Sequence, residues 1–450
     1  MKKIYIYIGV FTFGIIAATA FVVVNKNLKK KEDSKESFAA LLERHGPIST
    51  TSEWINTKAA IQGLQAQIRR DPTNVKAKLL LALAYMQEAR VTGEHPYYYP
   101  AALDLIDDVL DSDPEASIKF QATVAKATVQ LSLHQFSNAL ETGKEALAIN
   151  PHNAAIYGVL CDANVELGNY DEAVKMADKM VSIRPDLRSY SRISYLREIH
   201  GNMPGAIEAM KLAVTAGYPG LENTSWTRIT LGQLYEKTGD LANAEVQYRI
   251  ALQETPHYAF ALAGLGRLDA KKKDYKGAIK LFSQAGEVIP EFSFQEELVT
   301  LYRETGKRKE AEATSEKLIE MLKEDSEAGH DVDLELANIY MELFHDYDKA
   351  LDYANEEYNR RPNNIDVNKT MAAIYYKKQD LTKASQYLKT ATKTNKQDPS
   401  LLCLSGLINF KKGDKTNGIT LIKKSFQMNP FQDDEFAQEG KKIMITPMVN

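Results

Sequence analysis

Five carboxylates crowd one short stretch: Asp104, Asp107, Asp108, Asp111 and Asp113. Spacings of three and four place pairs of them on one helix face, where a divalent cation could sit. A cation site also needs ligands converging from a rigid loop. A solvated helix face accounts for these charges, so no metal is expected. The eight histidines are scattered. His134 and His345 fall where one helix gives way to the next, a place that suits His because it tolerates positive φ. The stretch "GLGRLD" (264–269) begins like a dinucleotide fingerprint but lacks the third glycine and a preceding strand. Neither HExxH, GxSxG nor a phosphate-binding GxxxxGK motif occurs. Cys161 and Cys403 lie far apart with no CxxC, which suits small buried residues better than zinc or a disulfide. No enzyme activity and no cofactor are expected.

Composition narrows the remaining classes. The chain has 450 residues, a net charge of −4 and 26% charged residues of mixed sign. That length exceeds one ordinary core but suits an elongated array. Nucleic-acid binding needs a basic stripe. The densest basic group is only Lys271, Lys272, Lys273 and Lys276, a solvated helix end.

The elements that must position any site come from a repeat. Alanines recur at Ala102, Ala139, Ala173, Ala206, Ala244, Ala278, Ala311, Ala350 and Ala384, followed by Gly418, at gaps of 33 to 39 residues. Five positions earlier stand Gly168, Gly201, Gly239, Gly306 and Gly413, or His134, Lys273, His345 and Gln379. Such a position ends a first helix in a left-handed residue. Asp or Asn then caps a second helix, as at Asn169, Asn202, Asp240, Asp274, Asp346, Asp380 and Asp414. The alanine lies in that second helix and lets the pair approach closely. A proline stops it, as at Pro151, Pro185, Pro256, Pro290, Pro362 and Pro430. A period near 34 predicts an all-α solenoid of about ten helix-turn-helix units.

The residues Leu231, Gly232, Tyr235, Ala244, Tyr248, Ala251 and Pro256 resemble the tetratricopeptide repeat pattern, and Leu265, Gly266, Ala278, Phe282, Ala285 and Pro290 repeat it. The family's first Trp is replaced by Arg228 and Leu262 in these copies. The resemblance implies a right-handed superhelical solenoid whose first helices line a concave groove. Its groove offsets point to Asp162, Arg192, Tyr195, Trp226, Gln233, Arg267, Thr300 and Arg303. The implied partner is an extended peptide or a protein. Tyr97, Tyr98 and Tyr99 are expected either as an aromatic contact ledge beside the groove or as packing against the leading helix near Trp54.

Organisation follows. Residues 1–24 include "IYIYIGVFTFGIIAATAFVVV", uncharged and about 31 Å long as a helix, which suits a membrane anchor or a signal sequence. Residues 25–50 are expected as a polar linker, 51–74 as a leading helix, 75–432 as the array and 433–450 as a capping helix and tail. Four lysines after the apolar run would hold the body in the cytoplasm. The "MKK" start suits export, and an extracytoplasmic array attached by the N-terminal helix is the expectation. The insertions "HPYYYPAALDLID", "GYPGLENTSW" and "GHDVDLELA" resemble a bacterial subgroup of exported or anchored repeat proteins. Two functions are expected to compete. One is a membrane-anchored scaffold assisting assembly, folding or secretion of envelope proteins. The other is a carbohydrate- or small-ligand-binding solenoid using exposed aromatics.

Overall fold

Each expected left-handed position is left-handed. Gly168, Gly201, Gly239, Gly306, Gly413, His134, Lys273, His345 and Gln379 have φ between 53° and 101° in the computed structural model, which describes residues 38–445. These turns divide the described chain into hairpins. After a short 3-10 helix (Gly46–Thr50) comes the leading helix α1 (Ser52–Arg70). Ten hairpin units follow. They are α2 (Val75–Thr92) with α3 (His95–Asp111), α4 (Ala116–Ser132) with α5 (Phe136–Ile149), and α6 (Ala154–Glu166) with α7 (Tyr170–Ile183). Next are α8 (Leu187–Ile199) with α9 (Met203–Thr215), α10 (Glu222–Lys237) with α11 (Leu241–Glu254), and α12 (Ala259–Lys271) with α13 (Tyr275–Val288). The last four pair α14 (Phe292–Glu304) with α15 (Arg308–Glu327), α16 (Asp333–Glu342) with α17 (Tyr347–Arg360), α18 (Ile365–Lys377) with α19 (Leu381–Ala391), and α20 (Pro399–Lys411) with α21 (Lys415–Met428). A closing helix α22 (Glu435–Ile445) ends the described chain. No strand occurs among the described residues.

Six of the ten second helices among the described residues start on side-chain caps. Asp240, Asp274, Asp346, Asp380 and Asp414 each accept from the backbone N–H three residues on, and Asn202 does the same. Asn169 differs: its amide donates to Asn164 instead. The repeating alanines are fully buried, 0% exposed from Ala102 to Ala384 except Ala311 at 4%. In the last unit contact is tighter still. A Cβ on Gly418 would lie 2.7 Å from the Gly406 carbonyl oxygen, so only glycine serves there.

The N-terminal boundary differs from the expected linker. From Phe38 onward the chain packs: Phe38, Ala39, Leu41 and Leu42 lie against the first core cluster. Arg44 is buried between Glu88 and Glu53, at 2.6 Å from each. Apolar residues between the lysine-rich stretch and Trp54 bring this segment down onto the array. The apolar segment 4–24 and the lysines after it lie outside the described residues. Among the described residues no helix is long and apolar enough to cross a membrane.

The units wind back onto themselves. The turn of unit 1 meets the junction of units 6 and 7, where a Cβ on Gly93 would lie 2.4 Å from Ile289. At unit 2, the Asp331 N–H donates to the Leu133 carbonyl (3.0 Å) and Gln135 donates to the Gly329 carbonyl (2.8 Å). At unit 3, Asn364 donates to the Glu166 carbonyl (2.9 Å) and the Ile365 N–H to the Tyr170 hydroxyl (2.9 Å). At unit 4, Gly201 abuts the Asn395 carbonyl. At unit 5, Asn429 donates to the Glu236 carbonyl (3.2 Å), beside Gly239 and Pro430. Every turn from unit 1 to unit 5 therefore rests on the junction five and six units later, about five and a half units per superhelical turn. The two turns touch along a continuous seam.

Candidate partner-binding surface

First helices bury most of their circumference and leave one stripe open. In α2 it runs Lys76, Leu80, Leu83, Gln87, Arg90, the i, i+4, i+7 spacing of one helix face. Leu80 is 45% exposed and Leu83 39%. In α8 it runs Arg188, Arg192, Tyr195, and in α10 it includes Trp226, Thr230 and Gln233. These stripes converge on the interior. The Arg90 charge in unit 1 is felt by Arg188 in unit 4, Glu222 in unit 5 and Tyr258 at the start of unit 6.

The basic groove candidates are occupied within the chain. Arg192 pairs with Asp162 through two contacts of 2.5 and 2.9 Å and also donates to the Gly158 carbonyl. Arg267 pairs with Glu236 (2.9 Å) and reaches the Tyr248 hydroxyl. Arg303 donates to the Leu343 carbonyl at 2.6 Å. These arginines staple neighbouring first helices, so any partner contact would have to compete with these bonds. Thr300 donates to its own helix's Glu296 carbonyl.

The aromatic candidates divide. Trp226 is 46% exposed and Tyr195 is 37% exposed. Trp226 stands edge-on to Phe260, centroids 5.0 Å apart, and Phe260 continues edge-on to Phe294. This aromatic row crosses units 5, 6 and 7. Burial, then the charges of Asp366 and Glu166, pushes the Tyr195 hydroxyl well above its usual pKa. Gln233 is half-buried on the same stripe. Tyr98 and Tyr99 are not a ledge. They are 0% and 5% exposed, the Tyr98 hydroxyl accepts from the Leu42 N–H (3.1 Å), and Tyr99 stacks on His95. Tyr97 donates to the Ala40 carbonyl (2.7 Å). The Tyr97 and Tyr98 rings hold down the segment at Ala40 and Leu42, because flat rings bury well while their hydroxyls find backbone partners.

The acidic wall went unnoticed in the sequence. Glu291, Glu296, Glu297, Glu335 and Glu342 sit at or within α14 and α16. Burial, followed by repulsion from Glu342, Glu297 and Glu335, pushes Glu296 up to about 8. Burial raises Glu291 to about 7 and also raises Glu297, Glu335 and Glu342. Glu296, Glu297 and Glu342 form no ion pair among the described residues. Two of the aspartates of α3 have partners: Asp107 pairs with Lys126 (2.8 Å) and Asp108 with Lys78. Among the described residues no group of three or more His, Cys, Asp or Glu is placed to hold a metal ion. Both cysteines are buried, and burial pushes their thiols up to about 12.

A stack of capped helical hairpins with an open stripe along its first helices defines a repeat solenoid. Residues 130–198 and 229–288 match tetratricopeptide repeat family models, so these segments are tetratricopeptide repeats. It is similar to small glutamine-rich tetratricopeptide repeat-containing protein 2 of Saccharomyces cerevisiae, 29% identical over 105 residues, covering 23% of this chain and 30% of the yeast protein. It is also similar to cellulose synthase operon protein C of Pseudomonas fluorescens, 25% identical over 166 residues, covering 35% of this chain and 13% of that protein. The chain thus spans less than a third of the length of these curated relatives. A tetratricopeptide repeat protein from Parabacteroides merdae is a solved neighbour, 16% identical, covering 55% of this chain and 93% of its own, with a TM-score of 0.42.

Proposed function

We propose that this chain is a non-catalytic scaffold that holds an extended peptide or protein partner against its inner wall. Tetratricopeptide repeats serve in general as protein-interaction scaffolds. The observation that carries the reading here is the exposure of Trp226 and Tyr195, large aromatics on stripes whose neighbours are buried. Aromatic anchors of this kind dominate binding energies at protein interfaces. The apolar run 4–24 would anchor the array at a membrane, with the body on the extracytoplasmic side. There it would assist assembly, folding or secretion of envelope proteins. A protease added to intact cells tests sidedness.

The groove itself is tested by crosslinking from membranes with a photoreactive residue at Tyr195 or Trp226, and at Val246 as an exposed control on α11. The expected result is a discrete adduct from the first two positions and none from the third. The variant Tyr195→Ala plus Trp226→Ala should lose the partner while keeping its helical signal. Unchanged partners in a folded double variant would refute the inner-wall assignment. The small-ligand alternative loses support from Tyr98 and Tyr99, which are enclosed by their own chain.

A further inference from the structure

The seam gives the inner wall a boundary as well as a shape. With turn resting on turn, the stripes of units 1 to 5 face an interior walled by units 6 to 10. A partner reaching Trp226 or Tyr195 from the side must pass this seam. We propose that the seam is a releasable clasp: the two superhelical turns part along it, exposing the inner wall, while the hairpin units stay stacked on one another.

Two observations carry this. The first is how unevenly apolar contact is distributed. Among the described residues eight buried clusters hold neighbouring units together, and only two of them include a residue from across the seam. Those residues are Ile365, which joins Cys161, Val165, Tyr170 and Leu196, and Ile48, which joins Val288 and Ile289. Elsewhere the seam is made of polar contacts: Gln135 to Gly329, Asn364 to Glu166, Lys393 to Gly168 (3.3 Å), Asn429 to Glu236, the ion pair of Arg361 with Glu166, and the cations of Arg361 and Lys393 over the rings of Phe136 and Tyr170. Such exchanges with water contribute little net free energy, whereas apolar stacking scales with buried area. The seam therefore carries less apolar stabilisation than the stacking of neighbouring units.

The second is an imperfection in the closed state. His330 lies at the unit 2 seam with its ring 4.4 Å from that of His134, in an edge-on arrangement. Both His330 ring nitrogens are buried without a hydrogen-bond partner among the described residues, and so is one carboxylate oxygen of Glu335 nearby. Buried polar atoms left unpaired cost free energy that hydration would return. Parting the turns would hydrate them. Closure is thus opposed locally at the seam.

The test is a distance across the seam in the full-length chain. Exposed Lys175 on α7 and Lys389 on α19 flank it, and Lys175→Cys with Lys389→Cys accept spin labels while the native thiols stay buried. Pulsed electron resonance should give a main short population and a minor long one. The variant Gln135→Ala, Glu166→Ala, Lys393→Ala removes the seam contacts to Gly329, Arg361 and Gly168, together with one bond from Lys393 to the Asn363 carbonyl, and should raise the long-to-short ratio by about ten-fold with unchanged circular dichroism. His330→Phe removes the unpaired nitrogens and should lower that ratio. An unaltered distribution in the triple variant overturns the proposal. So does loss of helical signal together with the short distance, because the seam would then be part of one cooperative fold.

Discussion

The Asp331 N–H donates to the Leu133 carbonyl at 3.0 Å, joining two loops from different superhelical turns. The contact brings the junction of units 7 and 8 onto the turn of unit 2. It also lets the Asp331 carbonyl meet the His134 ring at 3.1 Å. His134 has φ of 57°, the left-handed turn residue of its unit, so one residue serves both hairpin and seam.

Gly168 and Gly306 separate these two duties. Both have left-handed φ, 79° and 73°. A Cβ on Gly306 meets nothing within 4 Å, whereas one on Gly168 would lie 2.4 Å from the Asn363 carbonyl. Gly306→Ala should cost about 1–2 kcal/mol of backbone strain in urea denaturation. Gly168→Ala should cost more and should also change the solution scattering profile, because the seam must open around the methyl group.

Ala244 is fully enclosed between the helices of unit 5 and its neighbour. Ala244→Leu should overpack this contact and lower unfolding free energy by about 1–3 kcal/mol, read by chemical denaturation. A neutral result would place the repeat register wrongly.

The acidic wall makes stability depend on pH. Glu296 is raised to about 8, so the folded chain holds its proton where the unfolded chain has lost it. Stability contributed by that proton is present below the ordinary carboxylate pKa and is lost as pH rises through about 8. Glu296→Gln should therefore flatten the fall in melting temperature between pH 5 and 8. At the alkaline end it should stabilise by an amount on the order of 1–3 kcal/mol. Wild type and variant with parallel profiles would contradict the assignment.

Tyr98→Phe removes the acceptor for the Leu42 N–H while keeping the ring buried. Amide exchange at residues 38–45 should accelerate, with a global cost of about 0.5–1.5 kcal/mol. Unchanged exchange there would mean that the segment is held by its apolar side chains alone.

Much of this architecture could be read from local chemistry. Left-handed turns, Asp caps and small alanines each act within one hairpin, so their signals lie within a few residues of each other. The exposed Trp226 and Tyr195 followed from the same register. The seam did not, because Gln135 and Gly329 are joined by winding, and nothing in either neighbourhood announces the other. The pairing of the arginines was hidden for a related reason. Arg192 and Arg267 lie on the stripe, but their partners Asp162 and Glu236 come from the preceding unit and neutralise them. Glu296 and Glu297 read as an ordinary charged helix face until the opposing walls enclose them.

The winding number has a consequence for how this molecule can change over time. An ordinary solenoid gains or loses an internal copy freely, since each copy needs only its neighbours. Here, removal of one hairpin from the middle would rotate all later junctions out of phase with the turns beneath them. Ile365 would leave its socket against Tyr170, and Asn429 would lose Glu236. Growth and shrinkage are thereby confined to the two ends, and the interior copies are bound to a shared count.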